Sequence, residues 1–182
     1  MSHSALPYVL AAHSSPERAT VLDDEFDAST TCVVARRAST SQGRALLTVY
    51  ERAFAVVGSG GWAEAYKRSL RSAEGAGVVV ASGHFPVAWG VVCRALGIAR
   101  EEAGFLFLLA HVKGVLSAAV RLSLIGPYHA QAVLASEETR KSLEAALEVG
   151  KGIRVEMAGQ TVPTFDVYQG RHELLYSRVF NS

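Results

Sequence analysis

The sequence predicts an all-α protein: a single-domain helical bundle with a C-terminal docking helix. Apolar residues recur at spacings of three and four, and no segment repeats the alternating pattern of a sheet protein. Proline is confined to the starts of segments and to loops, where it does not interrupt a helix. The chain has 182 residues, of which 49% are apolar, enough for one sizeable core. We assign the helical core to residues 1–150 and a linker with a C-terminal partner-binding segment to residues 151–182.

The first part of the chain is predicted to hold three helices. Residues 20–38 carry acidic side chains at the start and basic ones at the end, which complements the helix dipole. Residues 39–42 (Ser-Thr-Ser-Gln) match a capping box and predict a new helix over residues 40–57. The glycine-rich residues 58–61 end that helix, and a short helix over residues 62–72 is expected to follow.

The second part is dominated by one long apolar helix over residues 99–124. Because it is apolar nearly all round, we expect it to be the most buried helix. Pro86 suits the first turn of the helix before it, which should end near residue 96. The valines at 78–80 are ambiguous and resemble a buried strand. The remaining expected segments are a helix over 127–149 with a break near 135–136, a glycine-rich linker over 150–162, and a short helix over 166–180.

Composition and charge argue against several classes of function. The formal net charge is +1 and no basic run occurs, which argues against a nucleic-acid partner. Cys32 and Cys93 lie among apolar neighbours, as buried thiols of a reducing compartment do. Residues 103–125 are apolar, but a central charge such as Lys113 costs about 2.5–3.5 kcal/mol in a membrane. The opening residues lack the features of a secretory signal. We therefore expect a cytoplasmic protein that does not bind membranes.

Two stretches resemble catalytic motifs only in part. Residues 58–61 are glycine-rich, but no strand precedes them and no Lys-Ser/Thr pair follows, so a connector between helices is favoured over a phosphate loop. Ser82 follows an apolar run, but a nucleophile elbow needs glycine at the places held by Val80 and His84. The sequence therefore predicts no catalytic residue and no enzyme.

The six histidines do not predict a tight metal site. None of them is spaced three or four residues from another histidine or cysteine, as a helical metal site normally requires. We therefore predict neither a metal-ligand set nor a tightly bound cofactor.

Arg121 stands out because it shares a helical stripe with Lys113 and Ser117 on an otherwise apolar helix. Either the stripe reaches solvent, or Arg121 is held inside by hydrogen bonds to carbonyls at residues 125–126, or it faces a partner. The chain end, residues 174–182, is apolar and aromatic, so it either docks on the core or is covered by a partner.

Four segments together resemble the UreF family of urease accessory proteins. They are residues 34–47 (Val-Ala-Arg-Arg-Ala-Ser-Thr-Ser-Gln-Gly-Arg-Ala-Leu-Leu), 83–90 (Gly-His-Phe-Pro-Val-Ala-Trp-Gly), 116–126 (Leu-Ser-Ala-Ala-Val-Arg-Leu-Ser-Leu-Ile-Gly) with Gln131, and the ending 172–182. The segments occur in the family's order, and the resemblance covers most of the chain from Ala5 onward. The last segment is similar to the ending of eukaryotic members.

The resemblance implies a helical protein that dimerises and binds the accessory protein UreD, also called UreH. This pair recruits the GTPase UreG, and the complex passes nickel to apo-urease in a GTP-dependent step. Nickel would be handled by the complex. The motif residues expected to bind a partner or to support the fold are Gln42, Gly43, Gly83, His84, Pro86, Arg121, Gly126, Gln131, His172, Tyr176, Ser177, Arg178 and Phe180.

The chain departs from the family pattern in two places. Pro127 stands where the family usually has glutamine. The opening signature of the family is absent, so the chain resembles a member shortened at its N-terminus. A rival hypothesis is a GTPase-activating protein that inserts Arg121 or Arg178 into the nucleotide site of UreG. A nickel-storing protein is disfavoured because the ligands are not clustered.

Overall fold

The computed structural model describes residues 1–76 and 81–175, and over these residues the chain is helical, with no strand. The predicted all-α fold is therefore confirmed. The helices, in chain order, are α1 (Leu6–Ser14), α2 (Ala19–Ser29), α3 (Val33–Val49), α4 (Trp62–Ala76), α5 (Phe85–Ala95), α6 (Arg100–Arg121), α7 (Pro127–Leu134), α8 (Glu137–Lys151) and α9 (Pro163–Arg171). Shorter turns are the 3-10 segments Pro16–Arg18, Val155–Met157 and His172–Leu174 and the π-helical segment Tyr50–Phe54. The ambiguous valines at 78–80 lie outside the described residues.

The boundary between α2 and α3 differs from the prediction. The helix over residues 20–38 and the capping box at Ser39 are both wrong, because α2 ends at Ser29 and Ser39 lies inside α3. Cys32 caps α3 instead: its sulfur accepts the backbone N–H of Ala35 at 3.4 Å. The side chain of Ser39 bonds to a distant segment, so the local capping pattern is not used.

The core is built around α5 and α1. In α5 every residue but Phe85, Trp89 and Arg94 is buried, and α1 packs mainly against it. The two helices approach closely at Gly90, where an added Cβ would lie 3.0 Å from the Cβ of Ala12. Pro86 lies in the first turn of α5, as predicted.

The prediction that the long helix is the most buried one is wrong. The first half of α6 packs against α1 and α8 through Ala103, Gly104, Phe107 and Leu108, but no residue after Leu108 in this helix is fully buried. In its length and composition α6 would suffice to cross a membrane, with a mean hydropathy of 1.8 over a stretch that is 22% buried. One such helix is weak evidence for a membrane span.

The predicted break after α7 is confirmed. Ser136 caps α8, and its hydroxyl oxygen accepts the backbone N–H of Thr139 at 3.1 Å. The helix α8 continues to Lys151, so the linker to α9 is shorter than expected. Whether residues 151–182 bind a partner stays a prediction.

Candidate functional site

Asp23 on α2 holds the loop that leads into α5. Its side chain is fully buried. Its carboxylate accepts the backbone N–H groups of Ser82, of Gly83 at 2.9 Å and of His84 at 2.6 Å, and the hydroxyl of Tyr66 at 2.6 Å. A buried carboxylate is costly unless such donors replace water. Burial, together with the charge of Asp23, raises the pKa of Tyr66 well above its ordinary value.

His84 is completely buried between α2 and α3. Its Nδ1 lies 3.1 Å from the hydroxyl of Ser39, and its Nε2 lies 2.8 Å from the carboxylate of Asp27. The Ser39 oxygen also accepts the backbone N–H of Phe85 at 3.1 Å. All groups are satisfied when Ser39 donates to Nδ1 and His84 donates from Nε2. His84 is therefore a structural residue that joins three helices.

Two motif glycines allow α3 to approach this loop. Gly43 is buried, and an added Cβ would overlap the carbonyl oxygen of Gly83 and lie 2.8 Å from the backbone nitrogen of Phe85. Gly83 has a φ of +86°, which side-chain-bearing residues rarely adopt. The close approach of two backbones explains the glycine at 43, and the positive φ explains the glycine at 83.

A cavity of about 500 Å³ opens next to the buried network. Its wall combines aromatic and polar side chains, among them Phe26, Cys32, Ser39, Gln42, Phe85, Pro86, Phe107, Gln169 and His172. Both motif residues line the cavity, Gln42 as an exposed residue and Pro86 as a buried one. The cavity brings together motif residues from three distant parts of the sequence.

The C-terminal segment contacts the start of α3 through polar side chains. Thr31 donates to the side chain of Gln169 at 2.9 Å, the Nδ1 of His172 lies 3.3 Å from the sulfur of Cys32, and Arg37 forms an ion pair with Glu173 at 3.0 Å. The apolar side chains of this segment point elsewhere: Phe165, Val167, Tyr168, Leu174 and Leu175 are all exposed. The segment therefore lies against the bundle while its apolar groups remain available.

The motif residues of the third segment lie at the other end of α6. Arg121 is exposed as the last residue of α6, which corrects the hypothesis that it is held inside. Gly126 caps α7, and Gln131 is exposed on that helix. The turn between α6 and α7 together with the first residues of α7, here called the α6–α7 turn, exposes Leu122, Leu124 (72% exposed) and Tyr128 (91% exposed).

The predicted site residues therefore fall into two groups. Gly43, Gly83, His84, Pro86, Gln42 and His172 surround the buried network and its cavity, whereas Arg121, Gly126 and Gln131 lie at the α6–α7 turn. Tyr176, Ser177, Arg178 and Phe180 lie outside the described residues. No observation tests whether any of these residues binds a partner, so their roles stay predictions.

Sequence reasoning missed Asp23, Asp27 and Tyr66, and it assigned Ser39 to a helix cap. Asp23 had been read with the acidic residues of a helix start, although it lies inside α2. One signal could have revealed it: Asp23 and Asp27 are four residues apart, so both face the same side of a helix that also carries Leu22 and Phe26. Charged groups beside an apolar stripe need buried partners.

Metal-ligating side chains are dispersed in the described part of the chain. No group of three or more histidine, cysteine, aspartate or glutamate side chains there could hold a metal ion. The expectation of no tight metal site and no bound cofactor stays a prediction.

Comparison with known proteins establishes the family. The family model described as UreF matches residues 1–137, and the chain belongs to this family. A relative from Schizosaccharomyces pombe, named an uncharacterized urease accessory protein UreF-like, is 39% identical over 184 residues, covering 99% of this chain and 76% of the relative. The family suggested by the four segments is thereby confirmed, and the model covers the first three of them.

Plant and bacterial relatives agree with this assignment. Urease accessory protein F of Oryza sativa subsp. japonica is 34% identical over 177 residues, covering 96% of this chain and 64% of the relative. Urease accessory protein UreF of Paenarthrobacter aurescens is 31% identical over 162 residues, covering 89% of this chain and 67% of the relative. The chain thus spans between 64% and 76% of the length of these relatives.

Proposed function

We propose that this chain is a non-catalytic accessory protein of urease maturation. It acts as a scaffold in a complex with a UreD-type protein and the GTPase UreG, and the complex inserts nickel into apo-urease in a GTP-dependent step. Membership of the UreF family carries this proposal, because the relatives are named urease accessory proteins. The chain works in the cytoplasm, as a homodimer within the complex, and holds no cofactor tightly.

The surface of the protein supports a scaffold more than an enzyme. The polar residues of the motifs are either buried in a satisfied network, as His84 is, or dispersed on the surface. The α6–α7 turn exposes large apolar side chains, which marks a surface that a partner can cover. The exposed apolar residues of α9 provide a second surface of this kind on the C-terminal segment.

Co-purification tests the proposal. The tagged chain is expressed with UreD- and UreG-type proteins and apo-urease, and bound proteins and urease activity are measured. We expect the complex and active urease with the unaltered chain and loss of both with Leu124→Asp combined with Tyr128→Asp. The matched control is Val21→Asp, an exposed apolar position on α2. Normal assembly and activity with the double variant would refute a role for the α6–α7 turn, and no activation by the unaltered chain would refute the function.

A second candidate is a GTPase-activating protein for UreG. The exposure of Arg121 favours it, because an inserted arginine must reach the partner's nucleotide site. GTP hydrolysis by UreG should then rise about 10³–10⁵-fold with the chain and fall back with Arg121→Ala. Lys113→Ala, another exposed cation of α6, is the control. Unchanged hydrolysis with Arg121→Ala would leave Arg178 as the candidate arginine.

A further inference from the structure

Cys32 and His172 bring two metal-ligating atoms together from opposite ends of the chain. Their sulfur and Nδ1 atoms lie 3.3 Å apart, although 140 residues separate them in the sequence. Cys32 is the buried cap of α3, and His172 is half-buried at the start of the last 3-10 turn. Neither residue takes part in the network around Asp23 and His84, so the fold of that site does not explain the pair.

The distance between the two atoms matches what a shared metal ion requires. Zinc–sulfur bonds are about 2.3 Å and zinc–imidazole bonds about 2.0–2.1 Å, so two such donors lie about 3.1 Å apart at a right angle and about 3.6 Å apart at a tetrahedral angle. The observed 3.3 Å falls between these values. An ion could therefore be bound by both atoms with only a small movement of either side chain.

The surroundings leave room for the rest of a coordination shell. Both residues line the cavity of about 500 Å³, which can hold an ion with its water ligands. The backbone N–H of Ala35 donates to the sulfur at 3.4 Å, an orientation that suits a thiolate. Since the described residues offer no third histidine, cysteine or carboxylate for the group, water completes the shell.

We propose that Cys32 and His172 form a two-ligand site for a divalent metal ion of the zinc class, and that the ion fastens the C-terminal segment to the start of α3. This inference goes beyond the proposed function, which requires no metal ligand on this chain. Binding releases the thiol proton to solvent while sulfur and nitrogen coordinate the ion. The site binds more weakly than a closed four-ligand site, and it tightens as pH rises.

Metal binding stabilises the docked position of the C-terminal segment because the two equilibria are linked. An ion that needs both ligands binds only when the C-terminal segment lies against α3, so it shifts the segment toward that position. Without the ion, the segment is held by contacts of Thr31 and Arg37 that lie at the surface. Metal occupancy would thus decide how readily the C-terminal segment, which carries the exposed apolar residues of α9, separates from α3.

Cobalt(II) is the probe for the ligands, because its bond to a thiolate gives a charge-transfer absorption band. The full-length chain is titrated with Co²⁺ and then with Zn²⁺. We expect a band that Zn²⁺ abolishes and that is lost in Cys32→Ser. In His172→Gln, the cobalt concentration needed for half of the full band should rise at least tenfold. The control is Cys93→Ala, since burial raises the pKa of the Cys93 thiol to about 12 and makes it a poor ligand.

Limited trypsin digestion reports on the fastening. We expect Zn²⁺ to slow cleavage after Arg171 severalfold in the unaltered chain and in His129→Gln, which removes an exposed histidine, but not in Cys32→Ser or His172→Gln. Circular dichroism verifies that each variant folds. A contact that is only a hydrogen bond gives no cobalt band and no protection, and that result would overturn the proposal. So would a band that survives Cys32→Ser. If the unaltered chain shows the cobalt band and the Zn²⁺ protection but does not activate urease, only the proposed function is refuted.

Discussion

The carboxylate of Asp23 on α2 accepts the backbone N–H of His84 at 2.6 Å, which joins residues 61 positions apart in the sequence. The same carboxylate accepts two further backbone donors and one hydroxyl, so a single side chain fixes the entrance to α5. Because eight of the eleven residues of α5 are buried, this relationship positions a central helix of the bundle.

Asp23→Asn is expected to destabilise the protein by about 1.5–3 kcal/mol, because an amide keeps one acceptor oxygen and turns a donor toward groups that also donate. Asp24→Asn, at an exposed neighbour on the same helix, should change stability by less than about 0.5 kcal/mol. Urea unfolding followed by circular dichroism measures both. Equal midpoints for the two variants would contradict the role assigned to the buried carboxylate.

Tyr66 is expected to make the protein sensitive to alkaline pH. Its pKa is raised in the folded state by burial and by Asp23, so the unfolded chain loses the phenolic proton first. The contribution of Tyr66 to the free energy of unfolding is complete below the ordinary tyrosine pKa of about 10. It is lost as pH rises from there toward the pKa of Tyr66 in the folded protein. Tyr66→Phe should flatten this decline above pH about 10 while costing about 1 kcal/mol at neutral pH. Thermal unfolding against pH provides the measurement, and parallel curves would argue against it.

Gly43→Ala is expected to destabilise the fold by about 1–3 kcal/mol, because the added methyl group overlaps the carbonyl of Gly83. Gly114→Ala on α6 is the matched control. An added Cβ there meets no atom within 4 Å, so helix propensity should stabilise the protein by about 0.5–1 kcal/mol. Opposite shifts in melting temperature are expected, and a stabilised Gly43→Ala would show that the backbones can separate.

Ser39→Ala distinguishes two roles for Ser39, a local helix cap and a hydrogen-bonding partner of the His84 segment. The hydroxyl bonds to His84 and accepts the N–H of Phe85, so its loss should cost about 1–3 kcal/mol. Its exposed neighbour in α3, Ser41, should tolerate alanine with a change below about 0.5 kcal/mol. Amide hydrogen exchange locates the effect. We expect faster exchange at Phe85, whereas faster exchange only at residues 40–43 would indicate that Ser39 acts as a helix cap.

Local signals in the sequence predicted the features that depend on neighbouring residues. Proline at 86 marked the first turn of α5, and Ser136 marked the break before α8, because both act within one helical turn. The glycines at 43 and 83 were recognised only as motif positions. Their physical reasons, the approach of two backbones at Gly43 and the positive φ of Gly83, need the fold.

Features that depend on distant partners could not be predicted. Ser39 matches a capping box locally, but its bonds to the His84 segment decide its position inside α3. The apolar composition of α6 predicted burial, although a helix is buried only where another element covers it, and α1 and α8 cover mainly its first half. Composition reveals which surface is apolar and leaves open what will cover it.

The packing of α1 against α5 has a consequence for biosynthesis. About 70 residues separate the end of α1 from the start of α5, so at roughly 5–20 residues per second the ribosome needs several seconds to deliver the main partner of α1. During that interval Tyr8 and Ala12, which are buried in one cluster with Val87, Ala88 and Val91 of α5 in the folded protein, lack that partner. The nascent chain is therefore expected to depend on ribosome-associated chaperones until α5 emerges from the exit tunnel.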